Sequence, residues 1–295
     1  MNETIEALRQ KMGKARTLGS VVRTMKTLAA SNIRQYEEAV RALADYYHTI
    51  ELGLSASLSS QNSHSSPAVT AENKTLLTIA IVFGSDQGLV GSFNDQLSEV
   101  VQQKLEELSG KSMILAVGER IQSRLTDTGH KPEELFAAAG SVNAIALLVG
   151  DLLAAVEQLR EKEATIQLYL FYNSHKSGEI YDSISKRLLP LDVTWEREIR
   201  RTVWPTKACP EMLSGSDSVR WALVREYLFV SLFRACAESL ASENASRLSA
   251  MQRAEKNIDE ILEELSRNYN NRRQSGIDAE LFDVMSGFNS LSDSQ

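Results

Sequence analysis

One stretch has the placement of a ligand-binding loop: Gly84-Ser-Asp-Gln-Gly88-Leu-Val-Gly91 follows a run of β-forming residues and precedes a helical pattern. In doubly wound sheets phosphates bind at such a loop, against the backbone N–H groups that open the helix. The residues present fit that chemistry poorly. There is no Gly-Lys-Ser/Thr of a P-loop, and the glycines do not follow G-x-G-x-x-G. The other reading is a tight turn that needs glycine dihedrals, with Asp86 accepting hydrogen bonds from loop amides. The remaining chemistry-bearing types form no set. His48, His64, His130 and His175 share no ligand spacing. No serine stands in G-x-S-x-G. Cys209 and Cys236 are too few for a disulfide framework or a cysteine-based zinc site. No catalytic residue, cofactor or metal is therefore expected.

A second constellation is electrostatic. Residues 7–34 carry Arg9, Lys11, Lys14, Arg16, Arg23, Lys26 and Arg34 with no acid among them. A solvated helix face ordinarily mixes both signs, so a single-sign run implies an acidic partner. That partner is either another molecule or the acids of the C-terminal segment, Glu255, Asp259, Glu260, Glu263 and Glu264. The two readings are compatible.

The whole chain bounds these readings. Its 295 residues are 43 % hydrophobic and 24 % charged, and the formal net charge is −7. An acidic chain argues against a dedicated nucleic-acid binder. No run of 18 or more apolar residues is present, so no membrane span is expected. The opening MNETIEALRQKMGKAR lacks an apolar core, which argues against a signal peptide, and Glu3 and Glu6 argue against a transit peptide. The five prolines stand at 67, 132, 190, 205 and 210, leaving both ends free to be long helices.

The elements that must position these residues follow from apolar spacing. From Ile5 through Leu8, Met12, Ala15, Leu18, Val22, Met25, Ala29, Ile33, Tyr36, Val40, Leu43, Tyr47 and Ile50 to Leu54 the steps are threes and fours. This predicts one helix over 1–58, roughly 80 Å long. Residues 59–74 are serine-rich and read as a linker. Strands are predicted at 75–83, 112–118 and 165–173, with a further strand pair or extended return at 179–194. Helices are predicted at 95–108, 119–128 and 143–161. Strands alternating with helices predict a parallel, three-layer α/β domain over 75–194. Residues 195–216 read as an irregular connection. A second long helix is predicted over 217–286, about 100 Å, with Ser216 or Asp217 as N-cap and Gly287 as its stop. Residues 287–295 form a tail.

Neither terminal helix can bury its stripe alone, and each is the natural partner of the other. A chain that enters and leaves one domain makes the pair antiparallel. Met25, Leu248, Met251, Leu262 and Leu265 are expected in its seam. The fold class is thus α/β plus a long antiparallel coiled coil.

Three segments then become recognisable. Residues 241–287 contain SExxxRxxAM (242–251), NYN (268–270), RRQ (272–274), Ile277 and Glu280-Leu281. Residues 5–34 contain the core TMKxLAAS (24–31), and residues 85–94 read SDQGLVGSFN. In this order they closely resemble the gamma subunits of F-type ATP synthases. The resemblance covers nearly the whole chain. It implies a central rotor shaft that turns within a hexamer of alpha and beta subunits and couples ion flow through a membrane ring to ATP synthesis or hydrolysis. It also implies that catalysis belongs to other chains. On this resemblance Arg9, Lys11, Lys14, Arg16, Arg23 and Lys26 face acidic beta-subunit loops, and Arg273 and Gln274 make polar contacts with beta. Gln87, Trp204 and Pro205 belong to a foot that meets the ring and an epsilon-type subunit. The implied location is peripheral, on the cytoplasmic face of a bacterial inner membrane.

The departures from the family pattern are specific. Gln87 and Val90 stand where the family loop usually has arginine and cysteine, and Asp278 stands where it has threonine. Val22-Arg23-Thr24-Met25 replaces the usual T-K-A-M. These changes suggest a divergent member, as from a second, alternative ATPase operon. The chloroplast-type cysteine insert is absent, so thiol control is not expected. Two other classes compete with this reading. A nucleotide-binding α/β protein with helical extensions would bind ATP in isolation, and a coiled-coil tethering protein would self-associate.

Overall fold

The computed structural model describes residues 4–59, 77–108, 110–162, 166–176, 179–191, 199, 204–206 and 216–292. The predicted linker beyond Ser59, which is helical, Trp195, Cys209 and most of the irregular connection lie outside the described residues. The chain divides into two compact units, Met1–Leu28 with Leu248–Gln295, and Ala29–Arg247. Helices α1 (Ile5–Ala42) and α2 (Ala44–Ser59) are followed by β1 (Leu77–Phe83), α3 (Phe93–Glu107), β2 (Lys111–Val117) and α4 (Glu119–Asp127). Then come β3 (Glu134–Phe136), α5 (Val142–Lys162), β4 (Ile166–Lys176), β5 (Glu179–Leu189) and α6 (Ser216–Ser292).

The unit Ala29–Arg247 is built on one five-stranded sheet of order β3-β2-β1-β4-β5. β1 lies at its centre, and all seven of its residues are buried, as expected of a strand covered on both faces. β1 pairs parallel with β2 and β4, and β2 pairs parallel with β3. β5 pairs antiparallel with β4, so the sheet is mixed and not wholly parallel. Strand β3 has no counterpart in the sequence reading. Three residues, two of them exposed, carry no readable alternation.

Alternate residues along β1 face opposite sides. Ile79, Ile81 and Phe83 join a cluster with Ile145, Val149, Leu152 and Val156 of α5 and with Val230, Ala235 and Ala237 of α6. Ala80 and Val82 join Leu97 and Val101 of α3 and Ile121 and Leu125 of α4. These are the two helical layers of the three-layer domain. Residues 142–160 of α5 have a mean hydropathy of 1.6, enough to cross a membrane by length and composition. Asn143, Gly150, Asp151 and Glu157 interrupt that stretch, so it contains no unbroken apolar run of spanning length. Its apolar face packs on the sheet, as a core helix does.

Two helix boundaries differ from the sequence reading. The stripe over 1–58 predicts one helix, but a single turn residue, Leu43, separates α1 from α2. No glycine or proline marks the break. Beside it, Tyr46 Oη donates to a carboxylate oxygen of Glu226 at 2.8 Å, and the Tyr47 and Tyr227 rings lie 6.0 Å apart. Gly287 does not stop α6, which runs to Ser292. A glycine costs a helix about 1 kcal/mol and ends it only where a left-handed turn follows.

In the other unit, α1 and α6 pack side by side. Val22, Met251 and Ile258 are buried together, with Met25, Ala250, Ala254 and Leu262 against them. Gly19 stands opposite Ile258, and Lys26 opposite Glu255. Residue numbers rise on one helix as they fall on the other, so the pair is antiparallel.

Candidate functional site

The glycine loop lies at the carboxyl ends of β1 and β2, where ligands bind in doubly wound sheets. Here the chain fills that position itself. The Asp86 carboxylate accepts from the backbone N–H of Glu119 (3.1 Å), the first residue of α4, and from that of Ala138 (2.9 Å). An anion therefore sits where a phosphate would be bound, and it is a side chain. Asn94 fastens the other end of the loop. Its Oδ1 accepts from the Ser85 N–H (3.1 Å), and its Nδ2 donates to Ser85 Oγ (2.8 Å).

Two glycines are required here. A Cβ on Gly84 would stand 2.3 Å from Cβ of Ile121. Gly118 has φ +110, and a Cβ there would meet the Ser85 backbone at 2.7 Å. The expected turn geometry falls partly on another residue, since Leu89 takes φ 64 with its side chain exposed. Gln87 is exposed at the loop tip. Helix α6 supports the loop from behind, with Ser246 Oγ donating to the Val90 carbonyl at 2.5 Å and Ser239 Oγ to that of Phe83 at 3.0 Å.

Next to Ser246 lies an ion pair the sequence reading passed over. Glu243 and Arg247 are one helical turn apart and meet at 2.6 Å, with side chains only 8 % and 12 % exposed. Burial pushes the Glu243 carboxyl above the ordinary carboxylate range, and Arg247 draws it back in part. The i,i+4 Glu-to-Arg spacing was the available signal. The depth of burial was not visible from it.

Within the basic run Arg34 pairs with Glu38 of its own helix at 2.9 Å, and the other six bases divide in two. Arg9, Lys11, Lys14 and Arg16 are exposed on the first turns of α1. Arg23 and Lys26 face α6, where both bind Glu255, and Arg23 also reaches Asp259 at 3.5 Å. Of the expected seam residues, Met251 is buried and Met25 and Leu262 pack beside it. Leu248 and Leu265 are half-buried. Ile258 is buried more deeply than any of these except Met251.

Toward its end α6 changes surface. Every described side chain from 270 to 285 is exposed, including Arg273 and Gln274. Ile277, Leu281, Phe282, Val284 and Met285 are each more than half exposed. An isolated helix end with five exposed large apolar side chains is a surface made to be covered. Trp204 is half-buried and donates through Nε1 to Thr206 Oγ1 at 3.0 Å, while Pro205 is exposed.

A family model described as ATP synthase matches residues 4–291. The chain is 28 % identical to the ATP synthase gamma chain of Syntrophus aciditrophicus, over 97 % of this chain and 98 % of that one. It is 26 % identical to the ATP synthase gamma chain of Paramagnetospirillum magneticum, over 98 % and 99 %. Among solved structures, a chain of the Euglena gracilis mitochondrial ATP synthase (OSCP/F1/c-ring, rotational state 3) aligns with TM-score 0.63 at 17 % identity. It covers 97 % of this chain and 94 % of that chain. A chain from the central stalk and c-ring of the Tetrahymena thermophila mitochondrial ATP synthase aligns with TM-score 0.53 at 23 % identity, covering 79 % and 99 %.

Proposed function

Because this chain belongs to the ATP synthase family and serves that complex as its rotary stalk, we propose that its paired helices form the turning contact with the surrounding alpha and beta subunits. The observation that carries this reading is the end of α6, helical to Ser292 and exposed over every described side chain from 270 to 285. The apolar residues Ile277, Leu281, Phe282, Val284 and Met285 suit a smooth apolar sleeve, which holds an axle without fixing its angle. Arg273 and Gln274 sit at the base of that tip as directional contacts with beta. A guanidinium pairs with a carboxylate through two parallel bonds and so can register one angular position.

Arg9, Lys11, Lys14 and Arg16 attract acidic beta-subunit loops. Arg23 and Lys26 contribute to that field while holding α6. The sheet unit is the foot, meeting the membrane ring and the epsilon-type subunit through a surface that includes Gln87, Trp204 and Pro205. The chain itself is non-catalytic. Asp86 fills the position a nucleotide phosphate would need, which supports assigning ATP turnover to the hexamer. The assembly lies peripherally on the cytoplasmic face of a bacterial inner membrane.

The test is reconstitution with alpha and beta subunits and the membrane sector. Arg273→Lys is expected to lower steady-state ATPase and ATP-driven ion pumping while leaving assembly intact. Neutralising Arg9, Lys14 and Arg16 together is expected to weaken coupling with little change in thermal stability, since exposed pairs contribute about 0–1 kcal/mol each. Wild-type turnover and pumping in both variants would remove the basis for this reading.

A further inference from the structure

A cavity of about 290 Å³ opens between the C-terminal half of α5 and the start of α6, at the end of the sheet away from the glycine loop. Leu153, Val156 and Leu228 line it, and each is more than nine-tenths buried. Three large polar or aromatic side chains join the lining: Arg160, Arg225 and Trp221. The Arg160 guanidinium lies 5.3 Å from the centre of the Trp221 ring, held there by cation–π attraction. Trp221 nevertheless remains 61 % exposed. Arg225 reaches Glu157, but only at 4.0 Å, the outer limit of an ion pair. Arg160 pairs with no carboxylate among the described residues. Two guanidiniums against one carboxylate leave the lining with one positive charge beside an apolar floor.

From this arrangement we infer a binding site for an amphipathic monoanion, an aliphatic carboxylate whose chain enters the cavity while its head meets Arg160. The shape and charge favour this occupant over others. A free phosphate or sulfate would leave the apolar floor wet, and an alkylammonium would meet two cations. The planar fork of a guanidinium matches a carboxylate through two parallel hydrogen bonds. The volume lies at the small end of ligand pockets, which suits a chain of about six to ten carbons. None of the residues involved belongs to the surfaces assigned to the rotor, so the site stands independently of that role.

The test uses the purified full-length chain. In Trp195→Phe/Trp204→Phe protein, Trp221 is the remaining tryptophan, and its fluorescence reports on the cavity mouth. Titration with octanoate is expected to give a saturable change with one site per chain. Octanol is expected to bind more weakly and octylammonium not at all. Calorimetry on the unsubstituted chain gives the same reading without the tryptophan changes. Arg160→Gln is expected to weaken octanoate by about fivefold or more, the contribution of a charge-assisted contact. Ala222→Phe, at an exposed residue of the lining, is expected to block binding with an unchanged circular dichroism spectrum and melting temperature. No saturable octanoate binding overturns the proposal. So does equal binding of octylammonium, or octanoate affinity that is indifferent to Arg160→Gln.

Discussion

Arg23 Nε and Glu255 Oε1 lie 3.0 Å apart although 232 residues separate them in the chain. Lys26 Nζ donates to the other oxygen of the same carboxylate at 2.5 Å. One acid on α6 therefore gathers two bases of the run that α1 carries, and the pair fixes the register of the two helices as well as their direction. Lys26, and after it Arg23, hold the Glu255 carboxyl below its ordinary value of 4.5. A carboxylate whose folded pKa is lowered stabilises the fold above the unfolded value. That stabilisation is lost as pH falls through the folded value. The helix pair is thus expected to loosen on acidification below about pH 4.5. Glu255→Gln should reduce that acid sensitivity while lowering stability at neutral pH. The measurement is the melting temperature of both proteins from pH 3 to pH 8. Parallel curves across that range would show that Glu255 does not contribute.

A second prediction concerns the seam. Ile258 is 7 % exposed and packs with Val22 and Met251, whereas Leu262 is only half-buried. Ile258→Asp should cost about 3 kcal/mol or more, because a charge enters an apolar contact with no partner. Leu262→Asp should cost less. Urea melts of the two variants check the order. Equal losses would mean that the apolar contact extends further along α6 than the buried residues indicate.

How far this could be read in advance differs from element to element. The apolar run Leu77–Phe83 announces a doubly covered strand by composition alone, and the steps of three and four along α1 and α6 announce their stripes. The basic run reveals a charged face, but spacing along one helix cannot say which bases lie within reach of Glu255. Contacts across long separations are invisible in the same way. Asp86 binds amides 33 and 52 residues away, so its role at the mouth of α4 appears only once the sheet has brought the loops together. The antiparallel β5 was not legible because strand direction is set by pairing and connection, not by residue type. Gly287 misled because glycine permits a helix end without requiring one. The seam residues Leu248 and Leu265 have the right spacing, yet burial depends on which partner side chain stands opposite.

The loop at the carboxyl end of β1 gives a third prediction. Asp86→Ala removes the acceptor for two backbone amides, Glu119 N–H and Ala138 N–H. Hydrogen bonds to a charged group contribute about 1.5–3 kcal/mol each, and an unpaired amide adds its own desolvation cost. A loss of about 2–4 kcal/mol is expected, allowing for water reaching this partly exposed site. Faster hydrogen exchange should appear at both amides while the centre of β1 stays protected. Unchanged exchange at Glu119 and Ala138 would mean that the two contacts do not hold the loop.

The fourth prediction concerns Glu243 and Arg247, which meet at 2.6 Å with their side chains nearly closed off from solvent. Arg247 also donates toward Asn244 Oδ1 at 3.5 Å, while its Nε is buried without a partner. The pair is thus only partly satisfied, and removal from water costs both ions. Removing either partner alone strands the other charge. Glu243→Leu or Arg247→Met alone should each cost about 3–5 kcal/mol. Replacing both at once, as in Glu243→Leu/Arg247→Met, should recover most of that loss, because two apolar side chains need no partners. The sign of the Glu243 shift adds a pH signature. Its pKa is raised by burial, so the folded chain holds a proton more tightly there than the unfolded chain does. Its contribution to stability is greatest at low pH and falls as pH rises through the carboxylate range and up to the folded value. The double variant should lack that fall. Urea denaturation of the four proteins at two pH values forms a double-mutant cycle that isolates the coupling. If the double variant were as unstable as the sum of the single ones, the pair would contribute through packing against Ser246 and the glycine loop and not through its charges.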